Sequence, residues 1–227
     1  MENKEGYIMQ LELTIRRFLE PLKGIPFPVC IKALTGFSVL AFDISDRLNK
    51  ELLNELIRAA KLAGQNAFIK GIFTRRPNEA GNKMEPFVVD ALRKVGLRAD
   101  KPITKSGKKK TAGYPDIQIK DKHGRVVYLD CKTYNTDTKN QSFRTFYFSP
   151  SKDPKITSDA FHLLMSFELA VAKRNEKDAY VPISWQLYTL EKLRIQIKHE
   201  FNASNRELYI PDALLAHEEI GTTSNLE

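Results

Sequence analysis

Two aspartates and a lysine stand close together near the middle of the sequence, on two runs that have the composition of β-strands. Asp116 follows Pro115 in the run YPDIQIK, and Asp130 and Lys132 lie in the next run, RVVYLDCKTY. The residues DKHG between the runs favour a turn, which predicts that the two strands form a hairpin. Pairing in this hairpin would bring Asp116 beside Asp130 and Lys132.

Alternation along the second strand separates its charged residues from its apolar ones. Side chains of a strand point to opposite faces in turn, so Asp130 and Lys132 share one face. Val127, Leu129 and Cys131 share the other face. We expect the apolar set to pack inward and the two ionic groups to lie on a common surface. Cys131 is then a buried small hydrophobic residue and not a nucleophile.

Two carboxylates and a lysine at one place suit a divalent-cation site. Mg²⁺ takes oxygen ligands, keeps several waters and is commonly held by one or two carboxylates together with a substrate phosphate. Lys132 could hold or activate the attacking water, or stabilise charge on the phosphate. The alternative is a surface ion pair between Asp130 and Lys132 that is worth little. In that case the chain would be a non-catalytic nucleic-acid-binding protein.

Apolar periodicity predicts helices over residues 7–22, 46–63 and 82–95. Gly64 and Gly96 are expected to end the second and third helices, and Pro86 to fall in the first turn of the third. GIPFPVC is expected to be a loop or a short extended segment, and IKALTGFSVLAF a strand or a pair of strands. FHLLMSFELAVA fits a buried strand or a helix. FRTFYFS, VPISWQLYTL and LRIQIKHEF are expected to be strands, which gives an α/β fold with a mixed central sheet.

Composition narrows the class of protein. The 227 residues carry 36 Lys+Arg against 28 Asp+Glu, a net charge of +8, and the pI is about 9.3. No run approaches the roughly 18 apolar residues of a spanning helix, and the N-terminus lacks the apolar core of a signal peptide. Two cysteines cannot make a disulfide framework. We therefore expect a cytoplasmic protein, with a preference for a polyanionic partner.

Clusters of basic and amide side chains are the candidates for nucleic-acid contact. Residues 101–110 hold five lysines and no acid, as would suit a loop along a phosphate backbone. Arg, Lys, Asn and Gln also read base edges best. The alternative for each cluster is a solvated loop. The predicted nucleic-acid-binding residues are Lys105, Lys108, Lys109, Lys110, Asn140, Gln141, Arg144, Asn202, Asn205 and Arg206.

The sequence Pro115-Asp116, followed by Asp130-Cys131-Lys132, resembles the PD-(D/E)xK signature of the restriction-endonuclease-like nucleases. The resemblance covers about residues 81–190. It implies a restriction-endonuclease-like core with a mixed central β-sheet flanked by helices, preceded by an N-terminal helical extension. It also implies that Asp116 and Asp130 bind metal and that Lys132 is catalytic.

Nucleases of this superfamily often carry a further metal-binding glutamate on a helix before the motif, and Glu85 is the matching position. Glu79 competes for this role. Glu85 also fits an acid in the first helical turn that interacts favourably with the helix dipole.

Size, insertions around the core and the absence of a GxxxxGK phosphate loop resemble a type II restriction endonuclease. The resemblance implies a homodimer that uses Mg²⁺ to cut double-stranded DNA at a short sequence, leaving 5′-phosphate and 3′-hydroxyl ends. A cognate DNA methyltransferase would accompany it without being a stable partner. The alternative within the fold is a structure-selective nuclease of junctions or repair. The expected regions are a helical one for DNA binding or dimerisation (1–75), the nuclease core (76–215) and a tail (216–227).

Overall fold

The structure, a computed structural model, describes residues 2–19, 22–74, 79–135, 146–197, 204, 206 and 211–213. Its chain separates into one unit of residues 24–195 and another of residues 1–23 with 196–227. The helices are α1 (Glu2–Leu19), α2 (Phe27–Thr35), α3 (Arg47–Lys70) and α4 (Ala80–Lys94), with a 3-10 turn at Pro211–Ala213. The strands are β1 (Ile25–Pro26), β2 (Arg98–Asp100), β3 (Ile117–Lys120), β4 (Val126–Asn135), β5 (Phe161–Arg174), β6 (Lys177–Thr189) and β7 (Arg194–Ile195).

A five-stranded mixed sheet organises the unit of residues 24–195. Its order is β2-β3-β4-β5-β6, and every neighbouring pair is antiparallel except β4 with β5, which is parallel. The mixed α/β architecture and the β3–β4 hairpin are confirmed. The ambiguous run FHLLMSFELAVA is strand β5, and its first half is buried on both faces because helices cover the sheet on both sides.

Helices α3 and α4 cover one face of the sheet and enclose the main apolar core, which includes Leu56, Met84, Leu129 and Phe167. The predicted end of α3 at Gly64 is wrong, because the helix continues to Lys70 and ends at Gly71, where φ is +73°. A Cβ at position 64 would lie 3.7 Å from the Phe167 ring. Gly64 is therefore a packing position inside the helix and not a stop.

Helix α4 begins two residues before the predicted start, at Ala80. Ala80 and Met84 are four residues apart and fully buried, so they extend the apolar stripe of the helix toward its N-terminus. Pro86 consequently lies in the second turn, and its predicted place in the first turn is wrong. The burial of this stripe offsets the missing backbone donor of the proline.

Helix α2 covers the other face, where a loop and a strand were expected. Pro28 stands in the first turn of α2, where a missing N–H costs little. Phe27 and Ile31, four residues apart, are both fully buried in a second apolar cluster with Tyr128. Gly36 ends the helix with φ +80°. The helical spacing of Phe27 and Ile31 thus outweighs the two prolines that favoured a loop.

Two further strand predictions are wrong in the described residues. Residues 146–149 of FRTFYFS form no strand, because Phe146 and Phe148 pack edge-on against Phe27 instead, with ring centroids 5.9 and 5.8 Å away. In LRIQIKHEF only Arg194–Ile195 pairs, with β1. Residues 143–145 and 198–201 of these runs lie outside the described residues.

The unit made of residues 1–23 and 196–227 contains helix α1, which confirms a helix in the predicted region and starts it earlier. Several large apolar side chains of α1 are exposed, among them Tyr7, Met9 and Phe18. Within the same unit, Ile197 donates a backbone hydrogen bond to Leu22. No helix of the described ranges is long and apolar enough to cross a membrane.

Candidate active site

The β3–β4 hairpin places Asp116 opposite Asp130. Its register pairs Ile117 with Leu129 and Gln118 with Tyr128, so one step toward the chain start sets residue 116 across from residue 130. The backbone N–H of Cys131 donates a 2.9 Å hydrogen bond to Asp116 Oδ2. Asp116 is thus fixed to the strand that carries Asp130.

A turn built around Asp121 closes this hairpin. The Asp121 carboxylate accepts hydrogen bonds from the backbone N–H groups of His123 (2.9 Å) and Arg125 (2.8 Å). The Arg125 guanidinium pairs with the same carboxylate at 2.7 Å, and Gly124 takes φ +78°. An aspartate that accepts hydrogen bonds from the backbone N–H groups after it is a common way to fix a turn. The turn residues therefore set the register that brings the two aspartates together.

Lys132 extends to the same side of the sheet as the two aspartates. Its Nζ lies 2.7 Å from Asp130 Oδ2 and 3.9 Å from Asp116 Oδ2. Asp130 Oδ2 is buried and has no hydrogen-bond partner among the described residues, so its contact with Lys132 is an ion pair without hydrogen-bond geometry. The three side chains singled out in the sequence therefore form one cluster.

The predicted separation of the two faces of β4 is confirmed, with Leu129 and Cys131 in the α3–α4 core. The expectation that both ionic groups lie on the surface is wrong for Asp130, which is 2% exposed. Tyr128 on the same face is also fully buried, because the cluster beneath α2 covers this part of the strand. Of the two ionic groups on β4, Lys132 is the more exposed, with 32% of its side chain accessible against 3% for Asp130.

Burial and charge act together on the titration of the cluster. Burial raises the pKa of Asp130 to about 7, and the negative charge of Asp116 adds to that rise. Lys132 opposes the rise without cancelling it. Burial lowers the pKa of Lys132, but the two carboxylates outweigh burial, so its pKa is raised and it stays an ammonium. Two acids that repel each other inside the protein form a site where positive charge is stabilising.

Cys131 lies between these groups in the chain but does not belong to their chemistry. Burial raises the pKa of its thiol well above the ordinary range, and the nearby carboxylates add to the rise. A neutral thiol on the apolar face is a packing residue.

Glu85 and Glu79, the candidates for a further metal ligand, each contact a side chain outside the cluster. The carboxylate of Glu85 forms an ion pair with Lys101, and Glu79 accepts a 2.6 Å hydrogen bond from Thr74. Among the described residues, no group of three His, Cys, Asp or Glu side chains is close enough to hold one metal ion. The structure therefore brings together Asp116, Asp130 and Lys132, with Glu85 paired to Lys101.

The predicted nucleic-acid-binding residues fall into three groups. Lys105, Lys108 and Lys110 are exposed and form no ion pair with any described residue, whereas Lys109 pairs with Asp100 at 3.1 Å. Arg206 is described and exposed, in the other unit. The remaining five lie outside the described residues: Asn140, Asn202, Asn205, Gln141 and Arg144.

Two neighbours of the cluster were missed as site residues. Lys155 is buried and donates hydrogen bonds to backbone carbonyls just before Asp116. His162 is 1% exposed, and its Nδ1 lies 2.7 Å from the Tyr114 hydroxyl. Burial lowers the pKa of His162 to about 3, so it is neutral. Sequence spacing carries no signal for Lys155, because its partners are about 40 residues away.

A mixed sheet between helices, with an aspartate at the start of one strand and Asp-x-Lys on its hairpin partner, defines a restriction-endonuclease-like nuclease. The family model of the MjaV type II restriction enzymes matches residues 21–212. The type II restriction enzyme MjaV of Methanocaldococcus jannaschii is 39% identical over 235 residues, covering 97% of this chain and 100% of that protein. The chain belongs to the MjaV family of type II restriction enzymes. It is a site-specific deoxyribonuclease that binds double-stranded DNA.

A second relative is more distant. An acetyltransferase component of the pyruvate dehydrogenase complex from Zymomonas mobilis is 23% identical over 145 residues, 60% of this chain and 33% of that protein. The chain spans about a third of that relative, and this likeness supports no statement about activity.

Proposed function

We propose that the chain is a Mg²⁺-dependent endonuclease that hydrolyses both strands of double-stranded DNA at a short specific sequence, leaving 5′-phosphate and 3′-hydroxyl ends. The observation that carries this proposal is the pair of carboxylates, Asp116 and Asp130, across one hairpin with Lys132 2.7 Å from Asp130. Family membership supports the endonuclease activity, and the site supports the metal.

The residues present fit a divalent cation with oxygen ligands. Asp130 Oδ2 is a buried carboxylate oxygen that accepts no hydrogen bond of normal geometry from the described residues, and Asp116 lies opposite it. Mg²⁺ is commonly held by one or two carboxylates, with waters and substrate phosphate as its other ligands. Asp116 and Asp130 would therefore hold the ion. We keep Glu85 as a candidate third ligand, which would require its ion pair with Lys101 to open.

The role of each side chain follows from its charge and position. A bound Mg²⁺ would supply Lewis acidity toward the scissile phosphate and lower the pKa of water. Lys132, an ammonium beside both acids, would orient the attacking water or stabilise negative charge that develops on the phosphate. Asp116 and Asp130 would stay ionised when a cation offsets their repulsion.

A cleft next to the 101–110 loop suits the DNA backbone. It has a volume of about 620 Å³ and lies among the lysine-rich loop, the end of α2 and residues 151–157. Lys105 and Lys152 line it, no acid does, and neither lysine pairs with a described acid. Its lining includes Gln118, two residues along β3 from Asp116. We infer that the phosphates next to the scissile bond lie in this cleft.

Cutting both strands of a duplex needs two active sites. We therefore propose that the enzyme acts as a homodimer, and that a separate DNA methyltransferase modifies the same sequence in the host. Analytical ultracentrifugation at micromolar concentration tests the first proposal. A monomer both free and on DNA would contradict it.

The function itself is tested by incubating the purified protein with unmethylated phage DNA. Discrete fragments are expected in Mg²⁺ and intact DNA in EDTA. Sequencing of the fragment ends would give the site, and direct ligation of the fragments would confirm 5′-phosphates. Fragments that appear equally in EDTA would contradict the metal dependence, and a continuous smear would contradict sequence specificity.

A further inference from the structure

Lys155 is an almost fully buried lysine without an acidic partner among the described residues. Its exposed fraction is 4%. A buried ammonium is costly unless its donors are satisfied. Nζ donates hydrogen bonds to the carbonyls of Thr111 (3.3 Å), Gly113 and Pro115 (2.8 Å). Three carbonyl oxygens of one loop therefore solvate this charge.

The loop that Lys155 holds leads directly into the candidate active site. The Pro115 carbonyl belongs to the peptide group that joins Pro115 to Asp116. Residues 110–116 contain no helix or strand. Tyr114 packs against the second apolar cluster, whereas Thr111 and Gly113 are exposed, so the hydrogen bonds to Lys155 hold the parts of the loop that apolar packing does not. Lys155 fixes the backbone of Asp116 from one side, while the Cys131 N–H fixes its carboxylate from the other.

Lys155 is itself held in place by the segment around it. Asp153 accepts hydrogen bonds from the Ser106 backbone (2.8 Å) and hydroxyl (2.7 Å), and the Thr157 N–H donates to the Tyr128 hydroxyl (2.9 Å). Anchors on both sides of Lys155 make it a fixed point and not a mobile side chain.

The charge of Lys155 also acts on the site. Burial lowers the pKa of Lys155, and the negative charge of Asp116 opposes that fall. The negative charge of Asp116 therefore favours the charged form of Lys155.

We propose that Lys155 is a positioning residue, which holds the 111–115 loop so that Asp116 faces Asp130 and thereby sets the affinity of the pair for the divalent metal. The proposal rests on the proposed role of Asp116 as a metal ligand. Residues that orient metal ligands through hydrogen bonds affect affinity by about 10- to 100-fold.

Three substitutions test this proposal. Lys155→Met removes the charge and the donors at similar length, Lys155→Gln keeps two donors without charge, and Lys155→Arg keeps both. Lys173→Met is the matched control, because Lys173 is exposed and pairs with Asp178 far along the β5–β6 hairpin. The readouts are amide hydrogen exchange of residues 111–117 without metal, and the Mg²⁺ concentration that gives half-maximal cleavage.

We expect Lys155→Met to speed exchange in residues 111–117 but not in β4. We also expect it to raise the Mg²⁺ midpoint by about 10- to 100-fold, with cleavage at saturating Mg²⁺ close to wild type. Lys155→Gln should show a smaller shift and Lys155→Arg should recover most of the affinity. If Lys155→Met does not fold, Lys155→Gln still gives the test.

Unchanged exchange and an unchanged Mg²⁺ midpoint in either uncharged variant would overturn the proposal. Asp116→Asn is measured in parallel to separate this outcome from failure of the proposed function. Loss of cleavage in Asp116→Asn beside a normal Lys155→Met would remove only the role of Lys155. Full cleavage by Asp116→Asn would remove the site on which that role rests.

Discussion

The two faces of the central sheet differ in what they bury. On the α3–α4 face, Leu56, Met84 and Phe167 belong to one large apolar cluster and are fully buried. On the α2 face the apolar cluster is smaller, and the buried charged groups Asp130 and Lys155 lie on the same side. The α3–α4 face is dominated by the packing of apolar side chains. The α2 face combines a smaller apolar and aromatic cluster with buried charges and with hydrogen bonds between distant segments.

This difference divides stability from chemistry. Apolar burial has no preferred direction and contributes in proportion to area, so the α3–α4 face should supply most of the folding free energy. Hydrogen bonds and ion pairs contribute less net stability but fix atoms in particular positions. The α2 face should therefore determine cleavage more than stability, and substitutions on the two faces should have separable effects.

Among the lysine substitutions, Lys132→Met should give the largest effect on cleavage. It removes the only ammonium within ion-pair distance of Asp130 among the described residues. We expect cleavage to fall by about 10²- to 10³-fold, as when a group that stabilises transition-state charge is lost. Single-turnover cleavage beside a thermal melt measures it, with the exposed Lys173→Met as control. A Lys132→Met enzyme that cleaves at the wild-type rate would contradict the account.

Leu56→Ala should give the largest effect on stability. Leu56 is fully buried between α3 and the sheet, so its truncation should lower the free energy of unfolding by about 2–5 kcal/mol. Ile69→Ala, on the same helix but 72% exposed, should change it by less than about 0.5 kcal/mol. Denaturant titration measures both. Cleavage per folded molecule should be retained, and a large loss of it would break the separation of the faces.

His162→Phe should change how stability depends on pH. The folded pKa of His162 is about 3 and its ordinary value is 6.5, so the unfolded chain takes up this proton first on acidification. The contribution of neutral His162 to the free energy of unfolding is complete above pH 6.5. It is lost as the pH falls toward 3, by at most about 1.4 kcal/mol per pH unit.

Protonation of Asp130 changes stability in the opposite direction on acidification, because its folded pKa of about 7 exceeds its ordinary value of 3.8. Asp130 is present in both the wild type and His162→Phe, so its contribution cancels when the two proteins are compared. We expect the variant to lose less stability between pH 6.5 and 4.5 in denaturant titrations at several pH values. Parallel curves would contradict the burial of a neutral histidine.

Lysine substitutions in the 101–110 loop should give the smallest effects. Lys105→Ala and Lys110→Ala should each lower the slope of log affinity against log salt by about 0.9, the value for one phosphate contact. Lys109→Ala should change it less, because Lys109 is paired with Asp100 in the protein. Fluorescence anisotropy with a DNA duplex in EDTA measures the slopes. A larger change for Lys109 than for Lys105 would reverse this ranking.

Features that depend on residues close together in the chain could be predicted from the sequence. The β3–β4 hairpin, the two faces of β4 and the conjunction of Asp116, Asp130 and Lys132 follow from alternation and a turn. The alternation of side chains in β4 reflects that strand alone, so it could not predict that Asp130 is buried. The face of β4 that carries Asp130 also carries Tyr128, which packs in one cluster with Phe27 and Ile31 of α2, about 100 residues earlier in the chain.

Other features depend on contacts that local patterns do not encode. Gly64 lies inside α3 next to Phe167 of β5, although a glycine is typical of a helix end. Phe146 and Phe148 look like strand residues, yet they join an aromatic cluster with Tyr114 and Phe27. Lys155 is recognised as a residue that holds the loop before Asp116 only from its hydrogen bonds to three backbone carbonyls.

Asp130→Asn tests the central claim most directly, because it keeps the size of the side chain and removes its charge. DNA binding and Mg²⁺-dependent cleavage are measured on the same DNA for wild type and variant, with a thermal melt to confirm folding. The account predicts binding within a few-fold of wild type and cleavage lowered by at least about 10³-fold. Wild-type cleavage by a folded Asp130→Asn enzyme would show that the active site lies elsewhere.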